Sequence, residues 1–375
     1  MAARLTRTER LEAVPPFVRD VWDRLLEGGE AYLVGGAVRD ILLRRVPRDY
    51  DLATSLPPEA AQRLLGWPEG PGGRFGSLRA PGLPLEVVSL REEAGYRDRR
   101  RPDAVRFGAS VQEDLARRDF TVNAMAMERD GRILDSYGGR RDLRRRRLAA
   151  VGEPDARLRE DLLRVLRAYR FGAELEFRLA RGLRAAARRA AGELGQVAPQ
   201  RVGDELWRLL AGPGALPMLR AAQRDGVLAA VAPWLRPTHA ADGPLARLLA
   251  WTAGAADETV TAALERLAFP RAARQVLAKA LSLRDAILRT TERARWREAL
   301  AEGGAEAADL LVQAGGGPRL QAVARVYGRE GIIDRRRLTV RGLALAAERG
   351  APAREIGRLE EEALRALWRD PRGVL

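Results

Sequence analysis

Near residue 143 the hydrophobic pattern of this 375-residue chain changes kind. Before that point, short apolar runs alternate with amphipathic segments. "AYLV" (31–34) reads as a strand, "GG" as a turn and "AVRDILLRR" (37–45) as a helix, and Pro47 forces extended backbone ahead of the strand-like "RDYDLAT" (48–54). "PPEAAQRLL" (57–65) reads as a helix, "LEVVSLR" (85–91) as a β-branched strand, and "AMERDGRILDSYGG" (126–139) as a hairpin turning at "RDG". Beyond "RRDLRRRRLAAVG" (140–152) the period becomes helical and stays so, with breaks at "GPGALP", "RPTHAADGP" and "AGGGP". The expected fold is therefore α+β, with a mixed-sheet N-terminal domain followed by an all-helical remainder. The length is sufficient for two or three domains and a substantial core.

Composition narrows the chemistry by exclusion. There is no cysteine and a single histidine, His239, so thiolate catalysis, disulfides, zinc-thiolate sites and any metal centre needing two imidazoles are ruled out. Carboxylates are left as metal ligands, and all-oxygen coordination suits Mg²⁺. A net charge of +15 and a pI near 11.1 point to a polyanionic partner, nucleic acid ahead of an anionic membrane surface. The basic residues are almost all arginine, with Lys279 the one lysine, and Asn123 is the only asparagine. No run reaches the roughly 18 apolar residues of a membrane span, and the first residues lack the apolar centre of a secretory signal. A soluble cytoplasmic protein is the expectation, with no membrane role and with no oligomeric state specified.

Asp49 and Asp51 flank Tyr50 on a strand, and side chains two apart on a strand share a face. Two magnesium ions on such a pair can activate an attacking hydroxyl and neutralise nucleotide phosphates, which is what in-line nucleotidyl transfer demands. Glu86 on "LEVVSL" is the natural third carboxylate. Gly35 and Gly36, before a helix, permit a tight turn whose amides can approach an anion, and Arg39, one helical turn later, can add a guanidinium. A Gly-Gly turn or an Asp-x-Asp pair is commonplace alone; both within seventeen residues (35–51) point to a nucleotide site. It is neither a Walker A loop nor a GxGxxG dinucleotide fingerprint.

"GGAVRDILLRRVPRDYDLAT" (35–54) resembles the signature of the class II tRNA nucleotidyltransferase and bacterial poly(A) polymerase family. "RRDFTVNAMAM" (117–127) is similar to the family's second motif, and the resemblance implies that Arg118, Asp119 and Asn123 meet the triphosphate and ribose. An Asp accepting from a 2′-hydroxyl beside a phosphate-binding arginine suits a choice of ribonucleotides. "ILDSYGGRRDL" (133–143) resembles the motif that joins head to neck. "REDLLRVLRAYRFGAELEF" (159–177) resembles the Glu-Asp-x-x-Arg motif that selects the base without a template; by resemblance Asp161 and Arg164 meet the base and Glu160 orients Arg164. Cytosine and adenine both offer an amino donor next to a ring-nitrogen acceptor, so one carboxylate and one arginine would accept both and reject uracil and guanine. Read as one helix, Asp161 and Arg164 share a face, and Arg167 and Arg170 follow at helical spacing.

The resemblance covers roughly residues 30–210 and implies a polymerase-β-like nucleotidyltransferase head (1–143), a helical neck (144–210) and a helical body and tail that bind tRNA (211–375). It implies Mg²⁺ as cofactor, CTP and ATP as substrates and a tRNA 3′ end as acceptor. The segment between Glu86 and Arg117 has the length found in members that add C and A or A alone, and it keeps Tyr96, Asp98, Arg101 and Pro102. Two departures stand out: "VVSLR" follows Glu86 where Thr-Thr-Phe-Arg is usual, and Gln200-Arg201 replaces Glu-Arg. Relatives with an added phosphohydrolase domain need paired histidines, which this chain lacks. The first expectation is CCA addition; addition of the terminal A only, poly(A) synthesis and non-catalytic RNA binding follow in that order.

Overall fold

The computed structural model describes residues 5–68, 76–94, 104–252, 254–315, 318–330 and 356–369. Tyr96, Asp98, Arg101 and Pro102 lie outside them. The chain divides into two compact units, one running to Val197 with Arg224–Val227 added, the other formed by Ala198–Gln223 and the chain from Leu228 onward.

The first unit opens with helices α1 (Arg7–Glu12) and α2 (Pro16–Gly28), then strand β1 (Ala31–Val34), α3 (Gly36–Leu42), β2 (Tyr50–Thr54), α4 (Pro58–Leu65), β3 (Ser77–Arg79) and β4 (Leu85–Ser89). An antiparallel ribbon, β5 (Arg91–Ala94) and β6 (Ala104–Phe107), leads to α5 (Val111–Ala116), β7 (Ala126–Met127) and β8 (Ile133–Leu134). The strands form one mixed sheet in the order β3-β4-β2-β1-β7-β8, in which only the β2–β4 pair is parallel. Leu33 and Leu52 are fully buried in it, each contributing about 2 kcal/mol relative to an exposed side chain. Val111 and Leu115, four apart on α5, join Val34, Ala53, Ala124 and Ala126 in one apolar cluster, which pins α5 against the sheet.

α6 (Gly139–Arg144) and β9 (Arg147–Leu148) follow, then α7 (Pro154–Glu160), α8 (Leu163–Leu175), β10 (Arg178–Leu179), which pairs with β9, and α9 (Arg181–Ala190). Asp135 caps α6, its carboxylate accepting the Gly139 and Arg140 amides at 2.6 and 3.0 Å. A side chain on Gly139 would run into the Thr121 carbonyl, so the Asp, aromatic, Gly-Gly motif here fastens α6 to the turn within the second motif.

The second unit is helical throughout its described residues: α10 (Pro199–Ala211), α11 (Ala215–Arg224), α12 (Val227–Val231), α13 (Pro244–Trp251), α14 (Asp257–Arg266), α15 (Arg271–Leu288), α16 (Arg293–Gly303), α17 (Ala305–Ala314), α18 (Pro318–Glu330) and α19 (Ile356–Arg369). Trp251, Leu277, Leu281, Ile287, Leu300 and Leu311 make its core, where α15 packs against α13, α16 and α17. No helix among the described residues is long and apolar enough to cross a membrane.

Candidate active site

Asp51 stands second in β2, level with Val34 of β1 on one side and Glu86 of β4 on the other. Tyr50 is buried and meets Phe17 edge to face, so alternation along the strand turns the half-buried Asp51 to the opposite face; Asp49, expected on the strand, is exposed and lies just before β2 begins. Burial is the main reason that the Asp51 carboxyl is pushed up to about 6. Arg118 works against that rise, while the negative charges of Glu86, Asp49 and Asp114 add to it. Glu86 also accepts from the Ser77 hydroxyl and lies 3.8 Å from Arg79 Nε.

Asp51 Oδ2 is 3.8 Å from where a β-carbon on Gly35 would sit, so the acidic pocket opens onto the Gly-Gly bend. Gly35 has φ +73, a conformation that strains any residue with a side chain, and Arg118 Nη1 lies 2.5 Å from its absent β-carbon, so a side chain there would also push the guanidinium aside. The Gly35 amide itself donates to the Met125 carbonyl at 3.1 Å, so it is spent on the fold and not on an anion. Gly36 starts α3, which ends at Leu42, three residues short of the helix read from the sequence.

Four of the motif side chains form a single hydrogen-bonded relay. Arg39 is gripped by Asp40 at 2.8 and 2.9 Å and donates to Asn123 Oδ1 at 2.8 Å. Asn123 Nδ2 donates to Asp119 Oδ1 at 3.2 Å. The one asparagine of the chain is thus placed where a single side chain must accept from an arginine and donate to a carboxylate. Asp119 also takes the Phe120 amide at 2.8 Å and two bonds from Arg167 at 2.9 and 2.6 Å, which fills its four acceptor positions. Burial works to raise its pKa, but Arg167 and Asn123 hold it below the ordinary carboxylate range. A ribose hydroxyl can bond to Asp119 only by displacing a donor, and the Asn123 amide is the longest of them.

The Glu-Asp-x-x-Arg segment is not one helix. α7 stops at Glu160, Asp161 is extended (φ −146, ψ 108), and α8 begins at Leu163. The shared helix face for Asp161 and Arg164 is therefore corrected: Asp161 Oδ1 instead caps α8 through the Leu163 amide at 3.0 Å. Arg164 is held by Glu160 at 2.5 Å, the Arg157 carbonyl at 2.9 Å and the Arg117 carbonyl at 3.2 Å. Arg170 pairs with Glu174 and stacks on Phe171 at 3.8 Å, with Arg39 and Arg167 at 5.5 and 5.4 Å from the same ring. Sequence reasoning overlooked Phe171, Arg157 and above all Asp114, whose Asp-x-x-Arg-Arg spacing was the available signal.

Among the described residues, no group of three or more acidic or histidine side chains is arranged to hold a metal by itself. A cleft of about 1410 Å³ opens in the second unit beside His239, Arg284 and Trp296. None of the candidate site residues lines it, and Arg284 there is already bonded to the Leu249 carbonyl and Asp257.

Residues 31–149 match the family described as the poly(A) polymerase head domain, and residues 176–237 match the probable RNA and SrmB-binding site of polymerase A. The chain is 31% identical to the CCA-adding enzyme of Bacillus stearothermophilus, solved in complex with CTP, with a TM-score of 0.71 over 95% of this chain and 92% of that one. The chain belongs to the tRNA nucleotidyltransferase and poly(A) polymerase family. Within this family it is 43% identical over 197 residues to the CCA-adding enzyme of Geobacillus kaustophilus, a match covering 51% of this chain and 49% of the relative. The match thus spans about half the length of the curated relatives. The Thermotoga maritima CCA-adding enzyme, complexed with tRNA-CCA, shares the family fold at 20% identity and a TM-score of 0.70.

Proposed function

We propose that this protein is a template-independent tRNA nucleotidyltransferase that builds the 3′-terminal CCA from CTP and ATP and releases pyrophosphate at each step. The observation that carries the reading is that Asp51, level with Glu86 on the neighbouring parallel strand, lies 3.8 Å from the β-carbon position of Gly35, over which Arg118 sits. In this reading the chain is a catalytic head (1–143), a base-selecting neck (144–210) and an RNA-binding body and tail (211–375).

Asp49 and Asp51 would hold Mg²⁺, with Glu86 assisting; burial is the main cause that lifts the Asp51 pKa, and a divalent cation beside it would favour the charged carboxylate. Bound there, the metal supplies charge neutralisation and a more acidic acceptor hydroxyl. The RNA 3′-oxygen attacks the α-phosphorus, a new P–O bond forms, and the bond to the β-phosphate breaks. Arg118, set against the Gly35 turn, orients the triphosphate, while Asp119 meets the ribose, whose hydroxyl would take the place of the Asn123 amide that Arg39 holds. Asp161 and Arg164 read the base edge, Glu160 fixing the Arg164 head, and Arg167 and Arg170 line the neck side around Phe171. The helical second unit would grip tRNA by backbone charge and duplex shape, with affinity falling steeply with salt.

The test is to offer tRNAs ending before C74, after C74 and after C75 with CTP or ATP alone and read product lengths on a gel. The proposal expects C added to the first two and A to the third. Addition of A alone to the last substrate would replace it with an A-adding enzyme, runs of A with a poly(A) polymerase, and no incorporation with an RNA-binding protein.

A further inference from the structure

Asp114 is 1% exposed, and no step above uses it. Its two oxygens are divided between two arginines: Oδ1 takes Arg117 through Nε at 2.9 Å and Nη2 at 2.5 Å, and Oδ2 takes Arg118 through Nε at 3.2 Å and Nη2 at 3.0 Å. The helix carrying Asp114 is fixed by Val111 and Leu115 in the sheet core, so the carboxylate has a set position. Held this way, Arg118 turns its remaining nitrogen, Nη1, toward the Asn123 carbonyl at 3.3 Å and over Gly35.

The same helix end holds the base side. The Arg117 carbonyl accepts from Arg164 Nη2 at 3.2 Å, and the Ala116 carbonyl accepts from Arg157 Nη2 at 2.7 Å; both guanidiniums also share Glu160. Carbonyls at the C-terminal end of a helix attract cations, so α5 supplies the acceptors that these two arginines need. Burial works to raise the Asp114 pKa, but Arg118 and Arg117 outweigh it and hold the carboxyl below its usual range, so it stays charged.

We propose that Asp114 is a positioning residue that fixes the spacing between the triphosphate arginine, Arg118, and the base-side arginine, Arg164. The proposal rests on the nucleotidyltransferase reading. It treats the end of α5 as one block: the carboxylate sets Arg118, and the backbone it braces sets Arg164.

Equilibrium dialysis of labelled CTP and ATP with Mg²⁺ and no RNA tests it on wild type, Asp114→Asn, Asp114→Glu, Arg118→Lys and the Asp114→Asn/Arg118→Lys pair. Asp114→Asn should weaken both nucleotides to a similar extent, roughly ten- to a hundredfold for a lost charge-assisted clamp, and leave the tRNA Kd within about twofold. Asp114→Glu, which restores the charge, should recover part of that loss, and the pair should bind about as the weaker single variant does, since both act through one guanidinium. Nucleotide affinity unchanged in Asp114→Asn, affinities that track the thermal midpoint alone, or equal loss for tRNA and nucleotide would each overturn the proposal while leaving the enzymatic reading intact. Wild type that binds neither nucleotide would overturn both.

Discussion

The two units spend their arginines differently. The first has one-turn pairs such as Arg118–Asp114 and Arg170–Glu174, but its guanidiniums also join side chains and carbonyls far apart in sequence: Arg39 to Asn123, Arg167 to Asp119 and Arg164 to the Arg117 carbonyl, 84, 48 and 47 positions away. In the second, Arg289–Asp285, Arg295–Glu298, Arg358–Glu362 and Arg365–Glu361 are exposed pairs one helical turn apart, each worth a few tenths of a kcal/mol. Arg247, Arg284 and Arg297 depart from that pattern, tying carbonyls 37, 35 and 71 positions away. Long-range contacts tie separate elements into one site, whereas one-turn pairs reinforce only their own helix.

Asp51→Asn should give the largest effect, a loss of nucleotidyl transfer of roughly a thousandfold. Because folding holds this carboxylate at a cost, shown by its raised pKa, the variant should melt no lower than wild type in metal-free buffer at pH 7. Activity lost together with a lower melting midpoint would mean that Asp51 belongs to the scaffold.

Asp119→Asn tests the opposite sign. Asp119 is 8% exposed, and its pKa is lowered on folding, so its contribution is fully present above the ordinary carboxylate pKa of about 3.9 and is lost as pH falls through the lower folded value. The variant should be less stable by about 3 kcal/mol between pH 5 and 7, and the gap should close below about pH 4. Denaturant titrations across that range measure it; a gap that does not depend on pH would remove the charge pair from the account.

Arg164→Ala should reduce discrimination of CTP and ATP against UTP and GTP by roughly a hundredfold while leaving part of the turnover. Competition assays with all four nucleotides read it directly, and unchanged selectivity would take base choice away from the neck. The smallest effect belongs to the second unit: neutralising the exposed Arg266 and Arg271 should lower tRNA affinity by under about 1 kcal/mol per residue and flatten its salt dependence, with nucleotide binding untouched. Filter binding across a salt series would show it. A loss of catalysis there would erase the contrast between the units.

The same contrast governs how much could be read in advance. The mixed sheet before residue 143 and the helices after it were legible because alternation, helical period and turn residues are local signals, whereas the two-residue strands β9 and β10 were too short to show in the expected all-helical stretch. The break at Asp161 was not, since "RLREDLLRVLR" keeps helical periodicity with no Gly or Pro; the cap on Leu163 and the pull of the Arg117 carbonyl on Arg164 override it. The filled acceptor positions of Asp119 were equally hidden, because Arg167 reaches it from the neck. Asp114 sat in plain view, four residues before Arg118, but its burial could not be seen without the sheet beneath α5.

Titration of Mn²⁺ followed by its electron paramagnetic resonance, with and without a non-hydrolysable CTP analogue, tests the central claim most directly on wild type and Asp49→Ala/Asp51→Ala. Wild type should bind the ion tightly only when the nucleotide is present, and the double variant should bind neither tightly. Retention of nucleotide-dependent Mn²⁺ binding by the double variant would contradict the account.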